Sequence, residues 1–280
     1  INGRHEKIIG SLVNPSWHPS GQFVACSSND TKQSFHMTAN KRIEVFDNKS
    51  DIVVYHPESY TIITSPLVNK TDSILETFPQ FSADGSKIYF CSALNNAKEP
   101  DLKERLYTLC SIDFDAEKMA FGNKVDTILD FTSQHLSIIH PRISPDGKFL
   151  MFTTCYYGTF PIWHKEAELW MLNLEDYSAR LLDEVNSDDS DSFHNWSNDS
   201  RWFVFTSRRD DGLFTRLYIA HCDEEGQCSK PFMLPQRNPK EYYSRLFDSY
   251  NTPDFATELI KTDMKAITSK LTSGEREMVK

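Results

Sequence analysis

Three histidines lie beside or close to tryptophans: His18 follows Trp17, His164 follows Trp163, and His194 stands two residues before Trp196. Imidazole is a common transition-metal ligand, and three rings converging on one point would make a zinc-type site. His18 and His194 also fall at near-equivalent places of an internal repeat, where Ser82 and Ser144 stand in other copies, so a hydrogen-bonding role at turns is favoured over ligation. An acidic loop, Asn186 to Ser192, offers Asp188, Asp189 and Asp191 as hard oxygen donors suited to a structural calcium ion, with Asp210 and Asp211 further along. Its spacing lacks the alternating acids and the glycine of an EF-hand loop, and a solvated loop is the preferred reading.

Other chemistry is absent or unspecific. No GxSxG nucleophile elbow occurs, and there is no room for the α/β domain that such a nucleophile needs. Paired carboxylates could hydrolyse glycosidic bonds, but with forty acidic residues some pair is always at hand, and the signal carries nothing. The chain therefore reads as a non-enzyme. Recognition is better supported: Tyr156, Tyr157, Phe160 and Trp163 crowd one connection, and Arg208 and Arg209 occupy the matching connection of the next repeat. Aromatic and arginine side chains of this kind mark binding faces. Of the six cysteines, Cys26, Cys91 and Cys155 lie in apolar runs and read as small buried hydrophobes, whereas Cys222 and Cys228 bracket DEEGQ and could face each other across a hairpin as a disulfide in an oxidising compartment.

Composition narrows the partners. The 280 residues are 39% hydrophobic and 25% charged, as in ordinary globular domains. The net charge of -10 supplies no basic field for nucleic acid. No apolar stretch is long enough to cross a bilayer as a helix. The first residues lack the apolar core of a secretory leader, and a chain starting at Ile1 suggests a trimmed one.

The elements that must position these groups come from the repeat. PSWHPSGQFVACSS from Pro15, PQFSADGSKIYFCS from Pro79, PRISPDGKFLMFTT from Pro141 and HNWSNDSRWFVFTS from His194 align, with starts 64, 62 and 53 residues apart. That period suits a four-stranded propeller blade. Each copy holds a tight turn, with Gly21, Gly85 and Gly147 in three and Ser200 in the fourth, then an almost continuous apolar strand of the kind buried on both faces. Third strands are expected at Asp51–His56, Arg105–Ser111, Glu168–Asn173 and Arg216–His221. Fourth strands are expected at Tyr60–Ser65, Val125–Asp130, Ala179–Leu182 and Pro231–Leu234. The expectation is an all-β propeller of four-stranded antiparallel blades over about 14–70, 77–130, 139–185 and 192–235, with a partly helical extension over 236–280. Asn2–Val13 could be an outer strand of a preceding blade. In the extension, Tyr242, Tyr243, Leu246 and Phe247 suggest a short helix packed on the propeller, and Thr262–Lys280 a polar one with Asp263 as N-cap.

The repeat, legible in full at Pro141–Thr154, resembles that of the TolB-like propellers. Longer strings, among them SSNDTKQSFH, KRIEVFDNKSDIVVY, YGTFPIWHKEAELWMLNL, LDEVNSDDSDSFHNWS and SRRDDGLFTRLYIAH, are similar to cell-envelope members from Bacteroidetes-type Gram-negative bacteria. The resemblance implies a six- or seven-bladed periplasmic ring, often lipid-anchored, with no established reaction, whose TolB members bind envelope proteins. Four units leave two or more blades to come from upstream in a longer chain or from another polypeptide, since an open arc exposes blade faces. The expected function is protein binding or scaffolding in the envelope. The alternative is a propeller enzyme or metal-dependent accessory domain acting on glycans or peptides.

Overall fold

The computed structural model describes residues 12–35, 43–69, 73–95, 102–258 and 262–274. Four antiparallel sheets follow one another, each a meander in which strands pair in chain order. Blade one comprises β1 (Leu12–Trp17), β2 (Val24–Phe35), β3 (Ile43–His56) and β4 (Thr61–Ile63); blade two β5 (Ile74–Phe81), β6 (Lys87–Leu94), β7 (Thr108–Asp115) and β8 (Ala120–Leu129). Blade three comprises β9 (Ser137–Ile143), β10 (Phe149–Cys155), β11 (Glu168–Asn173) and β12 (Ala179–Leu181); blade four β13 (Asp191–Trp196), β14 (Trp202–Ser207), β15 (Arg216–His221) and β16 (Phe232–Met233). The first strands neighbour one another in series, β1 with β5, β5 with β9 and β9 with β13, and so line the axis. This is the expected propeller, in four blades.

The turns explain the repeat. Gly21, Gly85 and Gly147 are left-handed, and in the fourth copy Ser200 takes the same conformation at φ 60°. In each of the last three copies a serine accepts from the backbone N–H five residues on and donates to the turn aspartate: Ser82 with Asp84, Ser144 with Asp146, Ser197 with Asp199. Gly85 is also a close approach, because a Cβ there would collide with the His18 ring.

Period-two alternation on the second strands sends successive side chains to opposite neighbours. Phe23 and Ala25 meet Ile88 and Phe90 between blades one and two; Tyr89 meets Leu150 and Phe152 between two and three; Phe149 and Met151 meet Phe203 and Phe205 between three and four. Each interior strand is buried on both sides. Blade four departs from blades one and three: Trp202 and Phe232, on the side away from blade three, are 38% and 45% exposed, while Phe23 and Phe149, at the place of Trp202, are 2% and 9% exposed; in blade two that place holds a lysine, Lys87, with its side chain 37% exposed. Among the described residues no core cluster joins the first and fourth blades.

Several boundaries move. Leu12 and Val13 pair with β2 and belong to blade one, so they are not part of a preceding blade; the remainder of that expected strand, residues 2–11, lies outside the described residues. The third strand of blade one starts at Ile43 rather than Asp51, because β2 and β3 run on as a long hairpin arm. β7 starts three residues after Arg105, whose side chain turns away to bond the Asp47 carbonyl and the Asn95 side chain. β8 begins earlier than expected, at Ala120. In the extension, α1 (Pro239–Arg245) ends before Leu246 and Phe247, and Phe247 is exposed rather than docked. α2 (Met264–Thr272) is capped by Asp263, which accepts from the N–H groups of Lys265 and Ala266. The expected continuation through residues 275–280 lies outside the described residues.

Candidate functional site

One irregularity recurs in every blade. Each first strand carries a bulge, between Val13 and Ser16, Thr77 and Gln80, Ile139 and Arg142, and Ser192 and Asn195. Within each bulge a residue with a full side chain adopts φ near +52°: Asn14, Phe78, His140 and Phe193. Left-handed backbone is rare for such residues and costs about 1–3 kcal/mol each. A bulge re-aims the side chain it carries. Here all four point to the same place, an axial cavity of about 290 Å³ that they line together.

Polar groups add to this wall. Arg142 reaches into the cavity, where one guanidinium nitrogen donates to Gln80 Oε1 and to the Pro141 carbonyl, both at 3.3 Å. Among the described residues it forms no ion pair; Asp254 on the C-terminal extension acts on it only from longer range. Burial lowers the Arg142 pKa, yet a guanidinium stays charged at any physiological pH. His140 is edge-on to Phe78 at 4.4 Å and tilted against Phe193 at 4.8 Å, and its Nδ1 has no hydrogen-bond partner. Burial, then the charge of Arg142, hold its pKa well below the ordinary histidine value. His194 is pushed down to about 3 by burial and contacts the Met151 carbonyl at 2.9 Å. Both rings are neutral at neutral pH, which leaves Arg142 as the cation of the inner wall.

The hairpin arm and the extension frame the mouth. On the arm, Asp47 accepts from Asn29 at 2.7 Å and Thr31 at 2.5 Å, and Glu44 Oε1 accepts from the Tyr157 hydroxyl of blade three at 2.8 Å. The arm thus passes from blade one to blade three along the cavity, which Thr31, Val45 and Asp47 also line. From the opposite side Arg216, buried at the head of β15, donates to the carbonyls of Leu246 and Asp248, and Tyr250 pairs with Thr215. These bonds lead the extension to the cavity, where Asn251 and Thr252 complete the lining and Asn195 donates to the Pro253 carbonyl.

Known proteins share this architecture at low sequence identity. No family model and no curated protein matches the chain. Solved structures do: TolB from Acinetobacter baumannii (14% identity, 80% of this chain and 43% of that one, TM-score 0.46), a putative TolB from Agrobacterium tumefaciens (15%, 78% of each, 0.44) and a puromycin-hydrolyzing peptidase from Mycobacterium tuberculosis (12%, 86% of this chain and 32% of that one, 0.50). In fold this chain is a β-propeller of four-stranded blades, as its four meander sheets show. At these identities the likeness concerns architecture alone, and the chain spans less than half of the Acinetobacter protein.

The structure separates most of the groups singled out from sequence. His18, His164 and His194 do not converge, and among the described residues no group of three or more His, Cys, Asp or Glu side chains does. His18 holds the place of Ser82, Ser144 and Ser197, bonding Ser20 within its turn and seating on Gly85 of the next blade. His194 instead takes the place of Pro15, Pro79 and Pro141 beside the bulge, which corrects the equivalence drawn between it and His18. His164 bonds Glu166 at 2.7 Å. In the acidic loop Asp188 is exposed, Asp189 accepts from the Ser190 N–H, and Asp191 is fully buried and held by Ser187 and Arg209. The aromatic connection is largely internal: Trp163 lies 4.1 Å from the Arg208 guanidinium, Tyr157 bonds the arm, Phe160 lines the cavity, and only Tyr156, 57% exposed, faces outward. Arg208 and Arg209 are likewise committed, to the carbonyls of Ile162, Gly212 and Val185 and to Asp191. Cys222 and Cys228 sit at disulfide-bonding distance, 2.04 Å between sulfurs.

Asn14, Phe78, His140, Phe193 and Arg142 were not singled out from sequence. A signal for the first four existed. Each directly precedes the first residue of its repeat copy, at the same 64, 62 and 53 spacings, and three precede proline, which ordinarily keeps its predecessor extended.

Proposed function

We propose that this chain is a non-catalytic protein-binding or scaffolding module of the bacterial cell envelope, acting in the periplasm and docking another polypeptide on the outer face of blade four. One observation carries the reading. Trp202 and Phe232 place large apolar side chains, 38% and 45% exposed, on the outer sheet face, whereas Phe23 and Phe149, at the place of Trp202 in blades one and three, are buried under the next blade. Aromatic anchors on such a face supply most of the energy of a protein interface. The fitting occupant is another propeller blade, from a longer form of the chain or from a partner. The Cys222–Cys228 bond supports an oxidising compartment such as the periplasm. Lipid anchoring belongs to the same proposal and rests on the family resemblance.

Site-specific photocrosslinking in periplasm-targeted protein tests it. A photoreactive residue replacing Trp202 should join the chain to a blade-bearing polypeptide, whereas one replacing Tyr177, exposed in blade three, should not. A chain that stays uncrosslinked from position 202, or crosslinks equally from both positions, overturns the reading.

A further inference from the structure

The strained first strands and the uncompensated guanidinium are not needed for a blade face to dock elsewhere. Part of this wall also serves blade packing, since Phe78 lies against Leu75 and Tyr107 of its own blade and Ile139 of blade three, and Asn14 bonds Thr77 of blade two. Yet the same costly bulge occurs four times, and each time it delivers a side chain to the axis. Backbone strain of this kind persists where the surroundings impose it, and it clusters at ligand sites. The groups delivered there are chemically distinct. Phe78 and Phe193, with Phe160 from the aromatic connection, are apolar, while Arg142 offers a planar fork of donors of which one nitrogen alone is engaged, by neutral oxygens at 3.3 Å.

We propose that the axial cavity binds a small apolar monocarboxylate, with its carboxylate on Arg142 and its hydrocarbon body between Phe78, Phe160 and Phe193. A guanidinium meets a carboxylate through two parallel N–H···O bonds, and the pairing strengthens where water is excluded. His140 lies beside the fork with Nδ1 unpartnered and buried, a further polar contact for a ligand that enters. A single charge is preferred over a dianion for a reason present at the site. The cavity offers one cation, Arg142, which balances one negative charge, and Asp47 in the same lining opposes a second. A cavity of about 290 Å³ accommodates a body of about one aromatic ring with its acid group. Val13, Asn251 and Thr252 are exposed at the rim and mark the way in.

Two sources share this chemistry, a free aromatic acid and the carboxyl terminus of a polypeptide ending in an apolar residue. Calorimetry on the intact chain separates them and tests the site. Phenylacetate should bind, and phenylacetamide, equal in size but uncharged, should bind about tenfold to a hundredfold more weakly. N-acetylphenylalanine and a hexapeptide ending in free phenylalanine form the second arm: binding of the first alone assigns a free acid, and binding of both assigns a chain terminus. Arg142→Gln should lose the preference for acid over amide and Arg142→Lys should keep part of it, with near-ultraviolet circular dichroism confirming that each variant is folded. Equal binding of phenylacetate and its amide by the unaltered protein overturns the proposal without reference to any variant. So does inorganic phosphate that competes as well as phenylacetate, or a folded Arg142→Gln that retains the preference.

Discussion

Blades three and four present the same repeat position to opposite fates. Phe149 and Met151 in blade three are covered by Phe203 and Phe205, whereas in blade four Trp202, on the side away from blade three, is 38% exposed, although its neighbour Val204 is buried; among the described residues no further blade stands on that side. Apolar content does not distinguish them, since each strand opens on four apolar residues, Phe149 to Phe152 and Trp202 to Phe205. A propeller strand carries two cores, and each is real only when a neighbour covers it. Full burial of a large apolar side chain is worth about 1.5–3 kcal/mol, which the covered face realises and the uncovered one holds for a partner.

One of the largest expected effects lies at a buried carboxyl of blade two, whose outer face is covered by blade three. Glu76, on the first strand of blade two, is enclosed with Oε2 unpartnered, and burial, then the charge of Asp51, push its pKa up to about 8. A carboxyl that titrates higher folded than unfolded contributes fully below its ordinary pKa, and that contribution is lost as pH rises toward 8. Glu76→Gln should therefore gain stability over the parent as pH rises from 5 to 8, by about 3–4 kcal/mol, read as the difference between paired urea titrations. A gap that stays constant with pH would contradict the burial.

The covered face comes next. Phe203→Ala should cost about 3–5 kcal/mol by opening a cavity between blades three and four. Arg209→Met should cost a similar amount, because it strands the buried carboxylate of Asp191, and Asp191→Asn should recover part of that loss in the double variant. Reducing the Cys222–Cys228 bond, which closes a short loop at the foot of blade four, should cost about 2 kcal/mol in denaturant midpoint measurements. The smallest effect belongs to the uncovered face: Trp202→Ser should change the stability of the isolated chain by less than about 1 kcal/mol, yet abolish crosslinking at a neighbouring probe on Phe232. If Trp202→Ser costs as much as Phe203→Ala, the two faces are alike after all and the docking surface lies elsewhere.

Much of the architecture was legible in the sequence. Turn glycines at Gly21, Gly85 and Gly147 and the apolar run after each determine a repeated hairpin buried on both faces, because only a left-handed turn followed by such a strand satisfies those residues. Asp263 likewise announces the helix that starts at Met264. The candidate site was largely hidden. Contact between Glu44 and Tyr157, or the electrostatic influence of Asp254 on Arg142, joins positions more than a hundred residues apart, and local pattern has no reach over that distance. The aromatic and arginine cluster misled for a related reason: Trp163 and Arg208 have the composition of a binding face, and only the packing of blade three on blade four turns them inward on each other.

The sequence by itself determined the blade, its turns and its alternation, since these depend on residues a few positions apart. Tertiary structure decided which side of each blade is roofed, and it gathered four bulged residues and one unpaired guanidinium on an axis that no single repeat contains. The physical reason is that a propeller axis exists only between blades: strain local to Asn14, Phe78, His140 and Phe193 acquires a purpose when all four meet.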